Sequence, residues 1–195
     1  MHFHSNLKFN EHIDSVVVKA NKQLGIIAKV FSNKSLNTIL PLYKSFVRPL
    51  LEYNSLIWSP FTKLNNEKLE KVQKRMLKLV RDLRPLRYQD KLKKAKLLTL
   101  QTRRIQHKLT FMHKMKFNNI DICFDDFFLE STHNKTRGNI FKLIIPKTRT
   151  KIRHNFFSVS TIKHWNALKT NEIKIKNSRI FKKKVLNYFL RHHMK

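Results

Sequence analysis

The sequence predicts a mainly α fold: a helical bundle over residues 1–117, then a small α+β extension over residues 118–195 with one strand pair. Three observations predict it. In segment after segment, apolar residues recur at steps of three and four, the period at which one face of a helix is buried. Polar breaks and residues that start or stop helices separate those segments. Near residue 118 the composition changes, with an acidic cluster followed by two short runs on either side of Pro146.

Residues 1–10 are polar, with Phe3 and Leu7 as isolated anchors, and read as the continuation of an upstream chain. Residues 11–31 come next as a helix with the stripe Ile13, Val16, Val17, Ala20, Leu24, Ile27 and Phe31. Residues 32–35 break that pattern, and Ser35 suits the N-cap of a second helix running to about Pro60. This helix holds the most apolar and aromatic stretch of the chain, residues 42–60, in which Phe46, Val47, Leu50 and Leu51 are expected on the buried face. Pro49 interrupts it; lacking a backbone donor, it should kink or split the helix, and Trp58 anchors the end.

A third helix, capped by Asn65 or Asn66, has Glu67 and Glu70 near its start, where acidic side chains suit the helix dipole. It runs inward through Leu69, Val72, Met76, Val80 and Leu83 until Arg84 and Pro85 stop it. Residues 88–96 and 98–117 make two more basic amphipathic helices. Residues 118–138 form a loop holding Asp121, Asp125, Asp126 and Glu130, a third of the acidic residues, with a turn at residues 136–138. Residues 139–145 and 151–153 are the expected strands. Residues 156–168 return to helix around Phe157 and Trp165, and residues 178–193 close the chain as a basic helix buried through Phe181, Val185, Tyr188 and Phe189.

Hydrophobic residues make up 41% of the chain, enough for a core, yet 42 Lys and Arg face only 12 Asp and Glu, a formal charge of +30. Self-repulsion of that size opposes compaction and points to a polyanionic partner, nucleic acid first and an anionic membrane surface second. No apolar run reaches the ~18 residues of a spanning helix, and the N-terminus has no signal-peptide pattern. One cysteine, Cys123, excludes an internal disulfide and zinc sites built on Cys pairs, and a reducing compartment, cytoplasm or nucleus, is expected. With glycine only at 25 and 138, a Gly-rich phosphate loop is excluded.

The row Lys71, Lys74, Arg75 and Lys78, prolonged by Arg81 and Arg84, lies off the apolar stripe of its helix. It is the leading candidate for contact with a phosphate backbone. Arg103, Arg104 and Lys108 are expected to add a second basic surface. Phe46, Tyr53, Trp58 and Trp165 sit at helical spacing and are assigned to the core rather than to base stacking. Asp125-Asp126 invites comparison with a metal-binding carboxylate pair, but no partner strand aspartate accompanies it, and it reads as a solvated loop. His2, His4, His12, His192 and His193 lack ligand spacing and read as exposed. Cys123 has no activating base near it in sequence and is given no nucleophilic role.

Several short motifs stand in a fixed order: LKFNEHI (7–13), KANKQLGIIAKV (19–30), LYKSFVRPLLEYNSLIWSP (42–60), LEKVQKRMLKLV (69–80), Tyr88 with LLTLQTRR (97–104), TRGN (136–139), FFSVSTIKHWNAL (156–168) and FKKKVLNYFL (181–190). This order resembles the segment that follows the catalytic palm in non-LTR (LINE-type, jockey-like) retrotransposon reverse transcriptases, over nearly the whole chain. It departs at Lys96 and Lys169, where glycine and proline are expected, and at Gln101 and Thr161, where glutamate and arginine are usual. The resemblance implies a thumb-like helical region at 1–117 and a C-terminal extension at 118–195, with fingers and palm upstream. It implies a fragment of an RNA-directed DNA polymerase that lacks the catalytic aspartates and is not an enzyme on its own. Such a fragment binds template–primer or target DNA non-specifically, with RNA or DNA and the parent's palm and fingers as partners. It holds no cofactor itself, while the parent needs a divalent metal, magnesium. A non-functional transposon relic, and a basic scaffold or membrane-surface protein without enzymatic activity, are the alternatives.

Overall fold

The computed structural model describes residues 9–117, 120–131 and 140–192. These residues are mainly helical and form two compact units that divide between Thr102 and Arg103, inside a helix and upstream of the composition change at 118. The turn expected at 136–138, and His2, His4 and His193, lie outside the described residues.

The first unit contains α1 (Asn10–Val30), α2 (Leu36–Leu42), a π turn (Tyr43–Val47), α3 (Arg48–Glu52), α4 (Ser55–Trp58), α5 (Lys63–Leu79), a 3-10 turn (Arg81–Leu83), α6 (Tyr88–Ala95) and the first residues of α7 (Leu100–Lys116). Ser35 caps α2 as expected, its hydroxyl accepting the Thr38 N–H at 3.3 Å. The Lys34 ammonium bonds the carbonyls of Ala28 and Phe31, covering groups that the end of α1 leaves open. The core collects Ile13, Leu24, Ile39, Tyr43, Val47, Leu51, Trp58, Leu69, Val72 and Met76 among others.

Helices α1 and α5 are joined by three polar rungs: Asn65 to Asn10 at 2.7 Å, Lys68 to Asp14 at 2.5 Å and Arg75 to Asn21 at 3.2 Å. The partners are separated by 54 or 55 residues at every rung, so the two helices run parallel and in register.

The split expected at Pro49 takes the form of a π turn just ahead of it. Pro49 has no N–H for the Ser45 carbonyl, and its ring would press on that oxygen in a tight helix. The Arg48 N–H instead reaches back five residues to Tyr43. The wider turn also changes which residues face inward. Buried Ile39, Tyr43, Val47 and Leu51 step strictly by four. An α-helix advances ~100° per residue, so such a row drifts unless the helix locally unwinds. The expectation that Phe46 and Leu50 share the buried face is therefore corrected: both are exposed, Phe46 by 53%. After Asn54 in the left-handed conformation, buried Trp58 donates from its indole to the Tyr53 carbonyl at 2.7 Å and closes the segment.

Helix α5 starts at Lys63 because the Thr62 hydroxyl accepts the Asn65 N–H at 3.4 Å, which replaces the caps expected at Asn65 or Asn66. From its inner face fully buried Gln73 contacts four groups. Its carbonyl accepts the Tyr43 hydroxyl at 2.8 Å, and its NH2 group lies 3.2 Å from Glu70, 3.2 Å from the Tyr88 oxygen and 3.0 Å from the Leu98 carbonyl. Glu70 accepts the Tyr88 hydroxyl with one oxygen and the Leu100 N–H, at the start of α7, with the other at 2.9 Å. Burial, then the neighbouring Glu70 carboxylate, holds the Tyr88 phenol protonated well above its ordinary range.

Helix α6 ends with Lys96 at φ 50°, its N–H returned to Lys93 and that of Leu97 to Leu92. This closure normally uses glycine.

In the second unit lie the remainder of α7, then α8 (Lys151–Asn155), α9 (Phe157–Asn166), α10 (Thr170–Ile173) and α11 (Ser178–His192). Leu109, Met112, Met115, Phe128, Trp165, Phe181 and Val185 are buried here. His113, also buried, stacks on Phe181 at 4.0 Å and bonds the Ile175 carbonyl at 2.6 Å. Burial lowers its imidazole below the ordinary value, and the bond to Ile175 partly opposes that.

The expected strand pair is absent among the described residues. Only an isolated antiparallel bridge, Glu130 to Leu143, forms. The backbone of this stretch is engaged by side chains: Trp165 donates to the Phe141 carbonyl, and the Asn166 amide pairs with both the N–H and the carbonyl of Leu143, each at 2.9 Å. Lys151–Asn155 is helix instead of strand, opened by the Thr150 hydroxyl, which accepts the Arg153 N–H at 3.2 Å.

Two substitutions probe these contacts. Lys96→Gly relieves the left-handed backbone and is expected to stabilise the first unit by about 1 kcal/mol, read as a higher urea midpoint at unchanged slope. Gln73→Leu removes the amide that bonds the Tyr43 hydroxyl and the Leu98 carbonyl in the interior and is expected to destabilise it by about 2–3 kcal/mol, by the same measurement.

Candidate nucleic-acid interface

The outer face of α5 is set by its inner one. Leu69, Val72, Gln73, Met76 and Leu77 are buried, so Lys71, Lys74, Arg75 and Lys78 are turned to solvent, and Arg81 is exposed in the following turn. The two acids of this helix do not neutralise that row. Glu67 lies 4.0 Å from Lys63, one turn earlier, and Glu70 is turned inward to Tyr88 and Leu100. Lys74 sits 5.0 Å over the Tyr88 ring, and Arg75 is steadied by Asn21. From Lys71 to Lys78 the row covers about 10 Å of helix, enough to meet more than one phosphate.

The second basic surface expected on α7 is not presented in that way. Arg104 is only 2% exposed. Lys108 is half-buried with its ammonium 3.0 Å from the Ser160 hydroxyl. Burial, and then the Arg104 charge, push Lys108 down to about 8. Arg103 is half-buried, 3.4 Å from the His107 ring. The sequence pattern placed these cations correctly on one helix but said nothing of what packs over it.

Sequence reasoning missed a different set. Lys147, Arg149, Lys151 and Arg153 are all exposed, in a segment read as linker and strand. Their alternate spacing and the helix-capping Thr150 were the available signals.

The aromatic residues divide. Trp58 and Trp165 are buried as assigned, whereas Phe46 and Tyr53 are exposed, Tyr53 by 80%. Pro49 follows the π turn already described, the role expected of it.

Asp121, Asp125 and Asp126 are exposed, and Glu130 forms an ion pair with Lys116. Burial lowers the Lys116 ammonium, with the Asp125 charge opposing. Among the described residues no three His, Cys, Asp or Glu side chains cluster to hold a metal ion, and no helix is long and apolar enough to cross a membrane. Cys123 is exposed. No protein-family model, curated protein or solved structure matches the chain.

The lowered Lys108 has a measurable consequence. Between about pH 8 and its ordinary 10.5 the unfolded chain carries this proton and the folded chain does not. Stability of the second unit should therefore rise with pH across that window. Lys108→Met should reduce the rise, leaving the smaller part that Lys116 contributes, and add on the order of 2 kcal/mol below pH 8, measured as urea midpoints from pH 7 to 10.

Proposed function

We propose that the chain is the post-palm, C-terminal portion of a non-LTR retrotransposon RNA-directed DNA polymerase, and that its first unit grips a nucleic-acid backbone non-specifically through α5. The observation that carries the binding is the exposed row Lys71, Lys74 and Lys78, none of which forms an ion pair with a carboxylate among the described residues. A rigid helix seated on a packed core holds these ammonium groups at fixed intervals. That favours contact with regularly spaced phosphates and carries no base preference.

The lineage is supported by the order of eight motifs and by one backbone detail. Lys96, where the resemblance expects glycine, is the residue that closes α6 in a left-handed conformation. An exposed apolar run, Phe46, Leu50, Tyr53, Ile57, Phe61 and Leu64, gives the first unit a surface on which the parent's palm and fingers would pack. In this reading the catalytic carboxylates and the magnesium ions belong to the parent's palm, and this portion contributes grip.

The test is duplex affinity as a function of salt. The unaltered chain should lose affinity steeply as salt rises, because phosphate contacts release condensed counterions. The combined change Lys71→Ala, Lys74→Ala and Lys78→Ala should reduce the slope of log K against log salt by about 2–3. A duplex affinity indifferent both to salt and to this variant would overturn the proposal.

A further inference from the structure

The segment leading into α9 carries a cation at every second position: Lys147, Arg149, Lys151 and Arg153, all exposed. The turn presenting them is well held. The Thr150 hydroxyl accepts the Arg153 N–H at 3.2 Å, and its carbonyl accepts the His154 N–H at 3.0 Å. The Asn155 amide donates to the Lys151 carbonyl at 2.8 Å, and the Phe156 N–H donates to Arg153 at 3.2 Å. None of the four cations forms an ion pair with a carboxylate among the described residues. Two acids of this unit are engaged elsewhere, Glu130 with Lys116 and Glu172 with the Lys169 N–H.

At the end of the turn Phe156 is 46% exposed, and the Arg153 guanidinium lies 5.4 Å over its ring. Exposed cations beside an exposed aromatic face are the combination that holds single strands, the cations following the backbone and the ring stacking on a base. A duplex hides its base faces, so the ring would have nothing to stack on. A membrane would take the ring into hydrocarbon and strip it from the Arg153 charge that sits on it.

We propose that residues 147–156 form a binding element for single-stranded nucleic acid, in which Lys147, Arg149, Lys151 and Arg153 contact phosphates and Phe156 stacks on a base. The element belongs to the second unit and stands independently of the α5 surface.

The test uses the full chain with a short labelled oligo-dT strand, a blunt duplex and phosphatidylserine-containing vesicles. Removing the four cations together, by alanine, should lower oligo-dT affinity and reduce its salt slope by about 3. Phe156→Leu should weaken oligo-dT binding roughly tenfold at unchanged salt slope, because stacking releases no counterions. Phe156→Trp should retain or tighten binding, which separates a lost stacking face from a misfolded turn. The Lys71, Lys74 and Lys78 variant should lower duplex affinity and leave oligo-dT binding intact, so the two surfaces fail separately. The proposal is overturned if Phe156→Leu leaves oligo-dT affinity unchanged, if oligo-dT binding is lost only with the α5 variant, or if the four-cation variant abolishes vesicle flotation while oligo-dT binding persists.

Discussion

The side-chain amide of Gln73 is the interaction on which the first unit turns. It is fully buried, so its donors and acceptor must be met inside the protein. Meeting them brings Tyr43 of the π turn, Glu70 of α5, Tyr88 of α6 and the backbone of Leu98 to one point. The same network decides the character of the outer surface. Glu70, one turn from Gln73, is drawn inward to Tyr88 and the start of α7. With that carboxylate withdrawn, the solvent side of α5 is left with uncompensated charge. The exposed lysines and the buried amide are two faces of one arrangement.

The two units handle positive charge differently. The first keeps its α5 cations outward. The second takes Arg104 and much of Lys108 into its interior, where the ammonium is disfavoured and a neighbouring cation disfavours it further. Its exposed cations include a set on residues 147–153, a turn with no apolar period. Charge counted along the sequence therefore overstates the basic surface of α7 and understates that of residues 147–153.

Local period and capping were legible in the sequence. α1, α6, α7, α9 and α11 stand within a few residues of their expected places, as does the N-cap at Ser35. The outward set of α5 was readable because its buried partners recur at helical steps. The misreadings fall where a distant partner or a local change of helical turn overrides the sequence period. Residues 139–145 have the β-branched content of a strand, but the Phe141 carbonyl and both backbone groups of Leu143 are taken by Trp165 and Asn166, over twenty residues away. The inward step of four through Ile39, Tyr43, Val47 and Leu51 fits no simple helix until the π turn is known, so Phe46 and Leu50 were assigned to the wrong side. The unit boundary inside α7 is a property of packing and leaves no mark on composition.

The parallel rungs between α1 and α5 bear on the chain that joins them. Two parallel neighbours begin at the same end, so the intervening residues must travel back the full length of α1. Its 21 residues span about 30 Å. The stretch from Leu36 to Trp58 is that return stroke, and its helical length is what delivers Asn65 to the level of Asn10. An insertion or deletion there would shift all three rungs together and carry the lysine row along α1 by the same amount. The most apolar part of the sequence thus acts as a ruler, and its length constrains the protein as firmly as its residues do.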